Sequence, residues 1–272
     1  MPEFKPMNKA IPWVVGVVLA AGVGTAFYFL QEKQTPEPQP APAAAVAAVP
    51  APAPAPEPET HYPVPQTTEA VARPLPEVDG SDQVVQDALA TLIGVESLNK
   101  YLVTQEIVRR IVATVDNLPR KTLAIRLSPV KPVGGEFRAS GREGSLVIAA
   151  DNAVRYAPYV RIAELVNARK LVAAYGRLYP LFQKAYEDLG YPTGYFNDRL
   201  IVVIDHLLNT PEVKGPIALV TPRVQPQFAD PELEARSSGQ KILIRMGSDN
   251  AEVIKAKLRE IRRELTGQNA KQ

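Results

Sequence analysis

Residues 11–30 of the chain read IPWVVGVVLAAGVGTAFYFL and contain no charged side chain. A helix of this length, rising 1.5 Å per residue, extends about 30 Å, which is the thickness of a bilayer's hydrocarbon core. Trp13 lies near the start of the run and Tyr28 near its end, where aromatic side chains favour the membrane interface. The stretch therefore predicts a single transmembrane helix.

The basic residues on either side of this helix predict its orientation. Lys5 and Lys9 precede it, whereas after Lys33 no basic residue occurs until Arg73. Because basic residues accumulate on the cytoplasmic side of membrane helices, we expect residues 1–10 in the cytoplasm. The bulk of the chain is then expected on the other side of the membrane.

A cleaved signal peptide is the alternative interpretation of the same stretch. Small residues at Gly24-Thr25-Ala26 resemble a cleavage site. The apolar run continues through Phe27 to Leu30, however, and is long for the core of a signal peptide. An uncleaved anchor is therefore the preferred prediction.

The segment that follows the anchor is rich in proline and alanine. Proline alternates with other residues over 36–42 and again over 50–58. Each proline ring removes a backbone donor and favours an extended predecessor, so neither helix nor central strand is expected. We predict a disordered, extended linker over 31–78, a folded domain over 79–268 and a short tail over 269–272.

The predicted domain is mainly α-helical with a few short strands. Its apolar residues recur mostly at helical spacing, and Ser81, Thr104 and the pair Asp249/Glu252 are expected to cap helices. Pro180 is expected to kink or split the helix in which it falls. The expected helices begin near Ser81, Val95, Thr104, Pro158, Leu171, Asn197, Asp230 and Asp249, and the expected strands are Leu123–Leu127 and Leu146–Ile148.

Composition limits the chemistry that the chain can perform. It contains no cysteine and two histidines, His61 and His206, so disulfides, thiolate sites and multi-histidine zinc sites are excluded. The formal net charge is +2, which is far below the basic footprint of a nucleic-acid-binding protein. The sequence predicts no metal, no cofactor and no nucleic-acid partner.

Two sets of residues leave an enzymatic interpretation open. Ser97–Lys100 and Ser248–Asn250 match the S-x-x-K and S-D-N patterns of penicillin-recognising enzymes, but no K-T-G follows. Ser238–Lys241 also matches S-x-x-K, which shows how unspecific the pattern is. Glu164 and Glu187 are candidate acids for glycan cleavage, although exposed carboxylates on amphipathic helices are the simpler interpretation.

The most distinctive loop contains the sequence YPTGYF at residues 191–196. Aromatic side chains clustered around glycine and proline stack on sugars or anchor partner proteins. We therefore predict a binding site at Tyr191, Tyr195 and Phe196. The alternative is that these rings close the end of the preceding helix against the core. Arg109-Arg110 and Asp116 to Arg120 are expected to form a charged edge, for which a structural salt bridge is a sufficient role.

Five short stretches of the chain form a recognisable set: His61–Pro65, Arg109 through Asp116–Arg120, Tyr186 through Asn197-Asp198, Ser238–Lys241 and Met246-Gly247. Together they resemble a bacterial family known only as a domain of unknown function, family 3014. Members of that family share an N-terminal anchor, a proline-rich segment and one C-terminal domain. The resemblance implies a bacterial inner membrane and therefore a periplasmic domain, but it implies no activity, substrate or catalytic residue.

The sequence thus predicts a single-pass inner-membrane protein with a mostly helical periplasmic domain. The absence of an assembled catalytic motif favours a non-enzymatic interaction or scaffold module. Its expected partner, besides the membrane, is an envelope protein or a cell-wall polymer. A peptidoglycan hydrolase with paired carboxylates, which uses Glu164 or Glu187, is the alternative.

Overall fold

Helices dominate the part of the chain that the structure describes. The computed structural model describes residues 61–64, 74–142, 144–221 and 226–267. The predicted mainly helical domain with short strands is confirmed within these ranges. The α-helices found there are α1 (Asp82–Ile93), α2 (Val95–Tyr101), α3 (Ile107–Asn117), α4 (Ala157–Leu165), α5 (Ala168–Asp188), α6 (Phe196–Leu208), α7 (Pro231–Glu234), α8 (Ser238–Arg245) and α9 (Ser248–Leu265).

The described strands are short and form one antiparallel sheet in the order β1-β2-β3-β4. Leu146 pairs with Leu219, which in turn pairs with Phe228. Leu219 and Phe228 are buried together with Ile244 of α8, so the sheet packs against that helix. The strands are β1 (Ala139–Ser140), β2 (Leu146–Ile148), β3 (Ala218–Val220) and β4 (Gln227–Phe228).

Helix α6 organises the hydrophobic core because it contributes to three clusters of buried side chains. Phe196 packs with residues of α1, α3 and α5. Val203 and Leu207 pack with α4, α8 and α9. Ile201 and Ile204 pack with α5 and α9. The first turn of α6 and the loop before it are therefore held on several sides.

No helix among the described residues combines the length and the apolar character needed to cross a membrane. The predicted transmembrane helix at residues 11–30 lies outside the described residues, as does most of the predicted linker. The anchor therefore stays a prediction from the sequence.

The predicted strand Leu123–Leu127 is wrong. The chain instead forms a 3₁₀ turn at Ile125–Leu127, with the Ile125 side chain exposed. Arg110 donates a hydrogen bond to the carbonyl of Arg126 over 2.6 Å, and Thr114 donates one to the carbonyl of Leu127 over 3.2 Å. These contacts hold the turn against α3, which outweighs the local alternation of apolar residues.

The predicted helix caps are also wrong in detail. The Ser81 hydroxyl donates back to the carbonyl of Val78 and does not cap α1. Helix α3 begins three residues after Thr104, and the Asp82 carboxylate of α1 accepts hydrogen bonds from its first amides, at Glu106 and Ile107. A residue distant in sequence therefore replaces the local cap.

Two further boundaries differ from their sequence prediction. Gly247, with φ of 90°, precedes α9, so the predicted capping box at Asp249 and Glu252 does not form. Pro180 lies inside α5, which continues unbroken for 21 residues, so the predicted split does not occur. Pro180 is exposed, and the surrounding core contacts of α5 hold the helix together despite the missing backbone donor.

Candidate functional site

A short loop joins α5 to α6 and contains most of the predicted binding residues. We call residues 190–195 the tyrosine loop. The side-chain amide of Gln183 donates to the carbonyl of Gly194 over 2.8 Å, and its oxygen accepts from the amide of Phe196 over 2.9 Å. Tyr179 donates to the same oxygen over 2.8 Å. One side chain of α5 thus fixes the backbone at the end of the loop.

The structure separates the three predicted binding residues by burial. Phe196 is 1% exposed and stacks on Phe182, with ring centroids 5.9 Å apart. Tyr191 is half-buried and stacks on Tyr186 at 4.5 Å. Tyr195 is 52% exposed. Phe196 is therefore a core residue and cannot present its ring to a partner, which corrects its predicted surface role. Tyr195 is the exposed ring of the loop.

A buried carboxylate lies beneath the tyrosine loop. Asp116, at the end of α3, is 2% exposed. Arg199 of α6 donates through Nε to Asp116 Oδ1 over 3.0 Å and through Nη2 to the Asp116 carbonyl over 2.8 Å. Arg120 donates to Asp116 Oδ2 over 2.5 Å, and the Tyr191 hydroxyl donates to the same oxygen over 3.3 Å. We call these four residues the Asp116 cluster.

The Asp116 cluster carries two arginine charges against one carboxylate. The negative charge of Asp116 beside the Arg120 guanidinium, together with their hydrogen bond, raises the pKa of Arg120. Arg120 is itself 53% exposed, so the unbalanced positive charge is available at the surface. Burial raises the pKa of Tyr186, which stacks beneath Tyr191. The Asp116 cluster therefore places the half-buried ring of Tyr191 beside the exposed cation of Arg120, an arrangement that suits an anionic or hydrogen-bonding partner.

The start of α8 packs against the chain that leaves α3. Ser238 donates its amide to the carbonyl of Arg120 over 2.8 Å, and Gly239 donates to the carbonyl of Leu118 over 2.9 Å. A Cβ at Gly239 would lie 2.6 Å from a Leu207 methyl and 3.1 Å from the Leu118 oxygen. A larger residue at this position would therefore have to displace the Leu207 methyl and the Leu118 backbone, so the two stretches 116–120 and 238–241 are closely packed here.

His206 lies in the last turn of α6. Its Nε2 is 2.8 Å from the hydroxyl of Ser237, which caps α8 by accepting from the amide of Gln240 over 3.3 Å. Burial lowers the pKa of His206, and the nearby charges of Arg199 and Arg236 lower it further. His206 therefore links the end of α6 to the start of α8, which is a structural role.

The two carboxylates of the hydrolase alternative lie on different helices. Glu164 is exposed near the end of α4. Glu187 lies in the last turn of α5 and accepts a hydrogen bond from Gln183 over 3.1 Å. Within the ranges that the structure describes, no group of three or more histidine, aspartate or glutamate side chains is placed to hold a metal ion.

Neither Arg199 nor the burial of Asp116 was predicted from the sequence. Val108, Val112 and Asp116 follow one another at intervals of four, which places Asp116 on the buried face of α3. A carboxylate at an apolar position of an amphipathic helix requires a cationic partner, and this was the available signal. Nothing in the local sequence identifies Arg199 as that partner, because it lies 83 residues further along.

One family model covers both the tyrosine loop and the Asp116 cluster. A family model described as a protein of unknown function (DUF3014) matches residues 107–262. The matched region begins at α3, ends within α9, and contains both the tyrosine loop and the Asp116 cluster. Neither a curated protein nor a solved structure matches the chain.

Proposed function

The chain belongs to the DUF3014 family of proteins of unknown function, and from this premise we propose that it is a non-catalytic interaction module of the bacterial envelope. In this proposal residues 11–30 anchor it in the inner membrane and the folded domain lies in the periplasm. The uncharged apolar run and the lysines before it support the anchor. The proline-rich segment would hold the domain away from the membrane surface.

The observation that carries the proposal is the exposure of Tyr195 on a loop whose backbone is hydrogen-bonded to α5. The ring is 52% exposed, yet the loop behind it is fixed by Gln183 and by the stacking of Tyr191 on Tyr186. Tyrosine and arginine are enriched among the residues that dominate binding energy at interfaces. A loop that is already ordered loses less conformational entropy on binding than a flexible one.

The charge of the Asp116 cluster supports a particular class of partner. Arg120 is half-exposed and next to Tyr191, whose hydroxyl it contacts over 3.0 Å. An arginine fork binds carboxylates in a bidentate manner, and a tyrosine face packs against apolar or sugar surfaces. We therefore propose that the partner of the surface formed by Arg120 and Tyr191 is an envelope protein or a wall polymer that carries carboxylates.

A photo-reactive amino acid in place of Tyr195 tests the proposal in living cells. We expect discrete crosslinked species from position 195 of the full chain, because a specific partner contacts this ring. The same probe in place of Leu165 is the matched control, since Leu165 is 75% exposed on α4. In the probe-carrying chain, the further change Arg120→Ala is expected to reduce the yield at position 195 several-fold.

Two results would count against this role. The first is an identical pattern of crosslinks from positions 195 and 165, which would indicate random encounter. The second is an unchanged yield of crosslinks from position 195 in the Arg120→Ala chain, which would show that Arg120 does not contact the partner. Recovery of each chain at wild-type level in the same cells excludes loss of folding as the cause.

A further inference from the structure

A short piece of the predicted linker packs against the first turn of α6. The amide of Tyr62 donates to Asp198 Oδ1 over 2.7 Å, and the side-chain amide of Asn197 donates to the Tyr62 carbonyl over 3.1 Å. The amide and the carbonyl of Tyr62 are thereby both hydrogen-bonded, each by one of two adjacent side chains. His61 adds a contact of 2.9 Å between its Nδ1 and Asp198 Oδ2.

A residue inside the domain orients the polar side of this surface. Asn197 is fully buried, and its oxygen accepts a hydrogen bond from the Tyr175 hydroxyl over 3.2 Å. The Tyr175 hydroxyl is the donor in this bond because an amide oxygen can only accept, and burial raises the pKa of Tyr175, which favours the protonated hydroxyl. The Asn197 amide group is therefore aimed at the peptide carbonyl by a partner inside the domain.

The apolar side of the surface receives the two rings of the segment. Tyr62 packs against the buried cluster that contains Val172, Ile201 and Leu265. The ring of His61 lies on that of Tyr195, with centroids 4.1 Å apart. Pro63 follows, and a residue before proline is restricted to extended geometry. The segment is thus partly ordered in its bound shape before it binds.

We propose that Asn197, Asp198 and the adjoining apolar cluster form a binding site for an extended tyrosine-proline peptide, which residues 61–64 of the same chain fill as a releasable latch. Main-chain hydrogen bonds would supply affinity and the tyrosine pocket would supply specificity. A partner segment with the same chemistry would displace the latch. The proposal goes beyond the proposed function, because it concerns a site that the chain's own segment already occupies.

Release of the latch would have two consequences for the domain. The contact between His61 and Tyr195 would be lost, so more of the Tyr195 ring would be accessible. The point at which the predicted linker joins the domain would also move along the chain from residue 61 towards residue 74. At about 3.1 Å per residue in extended proline-rich chain, this adds roughly 40 Å of reach.

A labelled peptide with the sequence ETHYPVPQ, which copies residues 59–66, tests the site by fluorescence anisotropy. We expect it to bind the full chain carrying Tyr62→Ala, in which the latch has lost its anchor. Binding to the wild-type chain should be about tenfold weaker if the peptide's dissociation constant is near 0.1 mM, because a tethered competitor acts at about millimolar effective concentration.

Matched controls separate peptide recognition from non-specific attachment. The peptide ETHAPVPQ, which lacks the tyrosine, should not bind. The double variant Tyr62→Ala/Asp198→Ala should bind ETHYPVPQ at least tenfold more weakly than Tyr62→Ala alone. Equal binding to the wild type and to Tyr62→Ala, or no binding to a folded Tyr62→Ala chain, would overturn the proposal.

Hydrogen exchange provides a measurement that does not depend on the Tyr62 variant. In the wild-type chain the amide of Tyr62 should exchange slowly, since the Asp198 carboxylate accepts its hydrogen bond. In Asp198→Ala that amide should exchange at least tenfold faster while the amides of α3 and α5 are unchanged. An unchanged rate at Tyr62 would show that the latch is not bound there.

Discussion

Asp116→Ala is expected to destabilise the domain by about 3 kcal/mol. Removing one partner of a buried ion pair leaves the remaining charge without compensation, which typically costs 3–5 kcal/mol. Asp116 accepts hydrogen bonds from Arg120, Arg199 and Tyr191, so all three lose their common partner. We expect the lower end of the range because Arg120 is half-exposed and water can solvate it. Urea unfolding of the purified chain measures the loss.

Asp79→Ala is the matched control for this prediction. Asp79 also pairs with an arginine, Arg109, but its side chain is 85% exposed. An exposed ion pair contributes about 0–1 kcal/mol, so the control should unfold close to the wild type. Equal loss of stability in Asp116→Ala and Asp79→Ala would contradict the central position given to the Asp116 cluster.

Phe196→Ala is expected to cost about 3–5 kcal/mol of unfolding free energy, as large-to-small changes of buried aromatic residues do. Its ring contacts Phe182, Tyr175 and Tyr186 and is almost completely buried. The neighbouring change Tyr195→Ala should cost less than about 1 kcal/mol, because the Tyr195 ring is largely at the surface. Unfolding of the two variants under the same conditions provides the comparison.

The different burial of Phe196 and Tyr195 also determines which variants can test binding by the tyrosine loop. Changing Tyr191, Tyr195 and Phe196 together cannot separate lost binding from lost folding, because Phe196 is a core residue. Tyr195→Ala alone keeps the core intact and removes the exposed ring. If Phe196→Ala proved as stable as Tyr195→Ala, the buried position of Phe196 would be wrong.

Helix positions were the most predictable part of the fold. Helix α3 and helix α9 show apolar residues on one face, and both helices were predicted from the sequence. The burial of these faces is a local consequence of helical period and composition. The exact helix starts were less predictable, since Asp82 caps α3 from a different helix.

Short strands were less predictable than helices. Leu146–Ile148 was predicted and forms β2, whereas Leu123–Leu127 was predicted and forms a turn. Both stretches are short and mostly apolar. The difference lies in their partners, because β2 pairs with β1 and β3, while the turn is held by Arg110 and Thr114 of α3. Pairing over long sequence separation cannot be derived from local alternation.

The candidate site was predictable in position but not in its internal organisation. The density of aromatic residues drew attention to residues 191–196. Which ring is buried depends on tertiary contacts with Gln183 and Phe182, which the loop sequence does not contain. The docking of Tyr62 on Asn197 joins residues 135 positions apart, and it falls in a segment whose composition predicted only a linker.

The location of the folded domain relative to the membrane is the claim on which the proposed envelope role depends. Two reporters fused separately after Gln272 measure it: alkaline phosphatase, which is active only outside the cytoplasm, and a fluorescent protein that matures only inside it. We expect active phosphatase and no fluorescence, with deletion of residues 11–30 reversing both signals. Fluorescence without phosphatase activity from the intact chain would place the domain in the cytoplasm and contradict the account.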